Sequence, residues 1–234
     1  MKTCKIHLIR SGISQANVDG IYCGSTNSPL SHRGELELNS ILDTYSYPYV
    51  DYVYTSSTDC DRETASLLFP ETELEADDRL RGMDLGEFEG RSLYELEDDE
   101  DFQKWISPTA DKVVPKGGEA PDHFTNRVLE CVDEIITTCF ENGISSVAIV
   151  ASMGVISTVL SAIGLPKAGA TDWTCDNGFG YTALADQTLY FREPVLEVNA
   201  QIPVSTDNFE RSFDDLVDDD SWMNDPTLDA WMKE

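Results

Sequence analysis

The chain has 234 residues, 41% of them hydrophobic and 26% charged, which is enough to bury one sizeable core. Sixteen Lys and Arg against 44 Asp and Glu give a formal net charge of −28. A field of that sign repels nucleic acid and anionic membrane surfaces, so neither is expected as a partner. A small phosphate or sulfate anion still fits wherever arginines reverse the field locally.

The first predicted element is a strand at KIHLI (Lys5–Ile9), which runs into the small-residue turn RSGISQAN. Met1 to Ile13 holds one short apolar run broken by Arg10 and Gly12, unlike a signal peptide, and no run approaches a membrane span. A second strand is expected in VDYVYTSS (Val50–Ser57), followed by a helix in TDCDRETASLLF. The stretch Glu71–Asp101 then carries fourteen acidic residues against Arg79, Arg81 and Arg91, with a structured turn at DLGEFEG. From Asp122 to Phe140, Phe124, Val128, Cys131, Val132, Ile135, Ile136 and Cys139 recur on one helical face, which marks them as core. A third strand, SSVAIVAS (Ser145–Ser152), leads into the helix MGVISTVLSAIG, with Gly164 as its glycine C-cap and Pro166 beyond. Further strands are expected at Tyr181–Leu184 and Thr188–Phe191.

Strands alternating with helices predict a three-layer α/β/α fold with a mainly parallel central sheet. In such sheets ligands sit beyond the carboxyl ends of the strands, where Arg10, Ser11, Ser57, Arg62 and Ser152 fall. The expected organisation is one domain over residues 1–206 and an acidic tail over 207–234. The tail has ten acidic residues against Arg211 and Lys233, yet Phe213, Leu216 and Val217, and again Leu228, Trp231 and Met232, repeat at helical spacing. It reads equally as a solvated acidic tail or as one that docks on its own domain or a partner protein. Cys4, Cys23, Cys60, Cys131, Cys139 and Cys175 form no C-x-x-C pair, so reduced thiols, a cytoplasmic location, no metal and no cofactor are expected.

Taken in order, the motifs resemble those of the histidine phosphatase superfamily, which includes the phosphoglycerate mutases. Arg10-Ser11-Gly12 with Ser14, Ala16 and Asn17 is similar to the opening Arg-His-Gly segment of that family. Tyr22, Gly24, Pro29, Leu30 and Gly34 match its next stretch, and Ser56, Ser57, Arg62, Thr64 and Ala65 the one after. Gly86, Phe88, Glu89 and Gly90, then Pro115, Gly117, Gly118, Glu119 and Arg127, continue the match. The resemblance implies the phosphoglycerate mutase-like fold and phosphoryl chemistry, and its departures matter as much. It implies that Ser11 and Ser152 stand where the family carries histidines, and Gly82 where it carries a proton-donating glutamate. The two arginines implied to hold a phosphoryl group are Arg10 and Arg62, with Asn17, Ser14 and Ser57 adding neutral hydrogen bonds and Asn177 at the rim.

Attack on phosphorus needs a lone pair available at neutral pH, which imidazole offers and a serine hydroxyl without an adjacent base does not. The expected function is therefore a pseudophosphatase that binds a phosphorylated small molecule, a free phosphate or sulfate anion, or a partner protein without hydrolysis. Two alternatives stay open. One is an active phosphomonoesterase or mutase with a relocated base such as His123, or a cysteine nucleophile at Cys23 or Cys60 with a thiol acidified by Arg62. The other is a protein–protein interaction module with an idle pocket.

Overall fold

The computed structural model describes residues 2–107 and 113–206, and the acidic tail expected over 207–234 lies outside the described residues. Seven strands form one sheet: β1 (Thr3–Arg10), β2 (Tyr52–Thr55), β3 (Leu74–Ala76), β4 (Ser146–Ala151), β5 (Gly164–Leu165), β6 (Gly180–Asp186) and β7 (Leu196–Ile202). Their order across the sheet is β3-β2-β4-β1-β6-β7-β5. All neighbours run parallel except β6, which is antiparallel to both β1 and β7.

Period-two alternation in the central strands decides which helices cover which face. Ile6 and Leu8 of β1 with Val147, Ile149 and Ala151 of β4 point to one side, where helices α3 (Pro121–Asn142) and α4 (Met153–Ile163) pack on them. Ile9, Val53, Ala148 and Val150 point to the other, against Leu38 of α1 (His32–Thr44) and Ala65 and Leu68 of α2 (Asp59–Leu68). Each such buried side chain contributes about 1.5–3 kcal/mol relative to exposure. The layers are thus helix, mostly parallel sheet, helix. Every apolar residue expected on the face of the long helix is buried, its cysteines included. Among the described residues no helix is long and apolar enough to cross a membrane.

Two local expectations are corrected. Thr188–Phe191 is no strand: the Asp186 carboxylate accepts the N–H groups of Thr188 and Leu189 at 3.0 and 3.1 Å and nucleates a helical turn, Gln187–Tyr190. The strand comes later, at β7. His32 opens α1, whose N-cap Ser31 accepts the N–H of Gly34 at 2.9 Å. Gly164 does end α4, but in extended backbone rather than the left-handed conformation. A side chain there would bring its Cβ within 2.4 Å of the Leu160 carbonyl as the chain turns into β5.

His7 belongs to the sheet and not to any site. It is 2% exposed, its Nδ1 lies 2.9 Å from Thr182 Oγ1 and its Nε2 lies 3.1 Å from Ser146 Oγ. Burial pushes its pKa down to about 4, so it is a neutral bridge between strands.

Candidate functional site

Parallel pairing sets Arg10 of β1 beside Ala151 of β4, so the residues that follow both strands emerge side by side. Ser11 N–H donates to the Ala151 carbonyl at 3.0 Å, which locks the two turns together. Above them opens a cleft of about 320 Å³, lined by Arg10, Ser11, Gly82 and Ser152 among others. Four segments distant in sequence therefore meet where an open α/β sheet places its ligands.

Arg10 is the sole cation among the lining residues. Its Nη1 donates to the Cys175 carbonyl at 2.7 Å, which steers the guanidinium and leaves its other donors for the cleft. Asn177, on the same late loop, donates from Nδ2 to the Ser11 carbonyl at 2.7 Å and lines the rim. Ser152 is the N-cap of α4, yet its side chain makes no cap bond, so a hydroxyl and the first turn of a helix both face the opening. Ser14 and Asn17 also line the cleft and cap each other: Ser14 Oγ accepts the Asn17 N–H at 3.2 Å, and Asn17 Oδ1 accepts the Ser14 N–H at 3.1 Å. That leaves the Ser14 hydroxyl hydrogen and the Asn17 amide as donors.

Two residues expected in the anion clamp lie elsewhere. Arg62 is exposed and lines a separate groove with Leu30, Glu35 and Glu63. The reason is helical: one residue is ~100° around the axis, so Cys60 and Asp61 turn to the cleft and Arg62 turns away. Ser57 also misses the cleft, because its hydroxyl donates to Asp78.

In place of a second guanidinium the floor holds a carboxyl that the sequence reading missed. Asp61 is 5% exposed and surrounded by the hydroxyls of Ser56, Thr58 and Ser11, with Ser56 Oγ 2.5 Å away. Burial pushes the Asp61 pKa up, only partly offset by the hydrogen bonds from Ser56, Ser11 and Thr58. Folding therefore favours the protonated form of Asp61 more than the unfolded chain does. The stability this gives is complete below the ordinary carboxyl range near pH 3.8 and is lost as pH rises through the raised value. Asp61→Asn keeps the hydrogen bonds and removes the titration. Its stability is expected to lie within about 1 kcal/mol of wild type at pH 4, and its advantage to grow toward pH 8. Denaturant titrations across that range check this, and parallel curves for the two proteins would contradict it.

The candidate base lies away from the cleft, and the two cysteines that do line it, Cys23 and Cys60, are not acidified. His123 lines a different groove, 2.8 Å from Glu119, with its side chain 75% exposed. Cys60 donates to the Gly12 carbonyl at 3.3 Å, and burial pushes its thiol up to about 12, the reverse of acidification by Arg62. Burial raises Cys23 as well.

Gly82 is packed backbone to backbone against Gly24. A Cβ at Gly82 would lie 2.4 Å from the Gly24 carbonyl oxygen, and one at Gly24 would lie 1.9 Å from the Met83 oxygen. Both strips of chain are held from outside. Glu89 takes the N–H groups of Gly24, Ser25 and Leu85 at 3.0, 2.9 and 3.0 Å. Arg127 donates to the carbonyls of Arg79, Arg81 and Gly82 at 2.8, 2.9 and 2.9 Å.

Comparison with known proteins places this geometry. The model of the Histidine phosphatase superfamily (branch 1) matches residues 6–184. The adenosylcobalamin/alpha-ribazole phosphatase of Escherichia coli (strain K12) is 28% identical over 182 residues, covering 74% of this chain and 86% of the relative. The crystal structure of the alpha-ribazole phosphatase from Shigella flexneri superimposes with a TM-score of 0.69 at 25% identity, covering 84% of this chain and 95% of that one. A phosphoglycerate mutase from Bacillus anthracis shares the fold, with a TM-score of 0.65 at 18% identity over 85% of this chain and 92% of its own.

Proposed function

As the chain belongs to the histidine phosphatase superfamily, we propose that its cleft binds an oxyanion ligand, a phosphorylated small molecule foremost, without hydrolysing it. The observation that carries this reading is the lining itself. Arg10 is present to hold an oxyanion, Ser11, Ser152 and Gly82, which the resemblance puts at the family's catalytic positions, lie around it, and no imidazole is among the lining residues. Each of the three histidines is engaged elsewhere: His7 in the sheet, His32 on the surface beside Glu35, His123 on Glu119.

The chemistry follows from those residues. The Ser11 hydroxyl has no imidazole beside it, and the one carboxyl it meets, Asp61, already accepts hydrogen bonds from Ser56 and Thr58. Gly82 offers no acid to the leaving oxygen, and the lack of such an acid alone removes roughly 10²–10⁴-fold in rate. What remains is charge-assisted hydrogen bonding by Arg10 with neutral donors around it. Such contacts hold the ground state as well as the transition state, giving affinity without turnover.

The test pairs an assay with a binding measurement. Wild type is expected to hydrolyse p-nitrophenyl phosphate no faster than Arg10→Met. Anion-induced thermal stabilisation is expected in wild type and to weaken about 10- to 100-fold in affinity in Arg10→Met, the usual range for a lost charged hydrogen bond. Turnover that disappears in Arg10→Met would overturn the proposal.

A further inference from the structure

We infer that the Arg10 cleft selects oxyanions carrying a single negative charge, phosphodiesters and sulfate esters, over doubly charged phosphomonoesters. The inference rests on the binding function proposed above and narrows its ligand class.

The reasoning is a charge count over every group that faces the cleft. Arg10 is the one cation lining it and Asp61 the one acid. The nearby guanidiniums are turned elsewhere. Arg62 lies in its own groove. Arg81 gives Nη2 to the Ser25 carbonyl at 2.5 Å and holds Nη1 3.7 Å from Asp78. Arg127 is committed to three carbonyls and to Glu119, at 2.7 Å through both Nε and Nη2. On the other side of the balance, Glu89 sits behind the wall on the N–H groups of Gly24 and Ser25. Asp176 is exposed on the loop that carries Cys175 and Asn177, and the chain as a whole carries −28.

One guanidinium neutralises one charge. A phosphomonoester brings about 1.5 to 2 negative charges at pH 7, so the excess would sit in a partly dehydrated cleft with no second cation to balance it. A phosphodiester or sulfate ester brings one, and its other oxygens need only neutral donors. Those are present in the Ser152 hydroxyl, the Ser14 hydroxyl and the Asn17 amide. Met83, Leu85 and Met153 give apolar wall to the organic substituents, of which a diester has two.

Three probes of matched shape decide it: phenyl phosphate, phenyl sulfate and methyl phenyl phosphate, titrated into the full chain by calorimetry at pH 7.5 and pH 5. At pH 7.5 the two monoanions are expected to bind about tenfold more tightly than phenyl phosphate, a gap large enough to read directly. At pH 5 phenyl phosphate loses its second charge, since that ionisation lies near pH ~6, and is expected to close most of the gap while phenyl sulfate stays constant. Tighter binding of phenyl phosphate at pH 7.5 would overturn the charge selection and leave the binding function standing. An equal gain by phenyl sulfate at pH 5 would also overturn it, because the titrating group would then be in the protein. No binding of any probe, with heat-capacity traces showing folded protein, would remove the binding function and this inference together.

Discussion

Arg127→Ala is expected to lower the stability of the fold by about 3–5 kcal/mol, the range for breaking a buried ion pair from one side. All five donors of this guanidinium have work in the structure. Nε and Nη2 grip Glu119 at 2.7 Å each, and Nη1 and Nη2 reach the carbonyls of Arg79, Arg81 and Gly82. The side chains of Arg127 and Glu119 are 18% and 9% exposed, so solvent is poorly placed to replace either partner. Burial by itself would raise the Glu119 carboxyl, but hydrogen bonds from Arg127 and His123 outweigh it and hold it below the ordinary range. Removing the guanidinium leaves Glu119 with only the exposed His123 and the Asp84 N–H as partners, and releases three carbonyls, that of Gly82 in the wall of the cleft. Arg127→Lys is expected to fall between Ala and wild type, because an ammonium has three donors and no planar fork. Denaturant unfolding of the three proteins checks the order, and hydrogen exchange at residues 79–86 is expected to rise in both variants. An Ala variant within 1 kcal/mol of wild type would show that the network carries little of the fold.

What the sequence made legible follows from how directly each signal maps to packing. The central strands KIHLI, VDYVYTSS and SSVAIVAS are apolar on both faces or alternate cleanly, and each lies in the sheet where expected. The long helix is equally plain, since seven apolar residues at helical spacing have one way to be buried. β7 was not: LEVNAQI alternates, but Thr188–Phe191 has the stronger strand composition, and the Asp186 cap decides against it. The site was half legible. Ser11, Gly82 and Ser152 come together because they follow or flank sheet ends, which the pattern marks. Arg62 was misplaced because a motif read by residue type ignores the ~100° turn per residue that presents Cys60 and Asp61 to the cleft instead. Asp61 was hidden among 44 acidic residues, and nothing but its burial sets it apart. Arg127 was visible as a motif match, yet its partners are main-chain carbonyls, which carry no mark in a sequence.

The contact between Gly82 and Gly24 sets the last expectation: adding a glutamate at position 82 does not restore hydrolysis, because it does not fit. The Cβ alone meets backbone, at 2.4 Å from the Gly24 oxygen and 3.0 Å from its carbonyl carbon. Backbone cannot swing aside as a side-chain tip can, and Glu89 fixes Gly24 and Ser25 from behind while Arg127 fixes the Gly82 carbonyl. Overpacking of this kind costs typically 1–3 kcal/mol, and a carboxylate forced into that wall adds a desolvation cost to it. Gly82→Ala is therefore expected to lose about 1–3 kcal/mol and Gly82→Glu more, with the latter recovered largely unfolded. Ser11→His with Ser152→His changes groups that face open cleft rather than backbone, so that double variant is expected to fold. It would gain imidazole but no leaving-group acid, and its turnover is expected to stay about 10²–10⁴-fold short of a complete site. The triple variant inherits the folding defect of Gly82→Glu and is expected to be less active than the double variant. Thermal unfolding and p-nitrophenyl phosphate assays on the four proteins separate the two effects. A Gly82→Glu protein as stable as wild type would mean that the wall yields, and that the absence of an acid there has nothing to do with space.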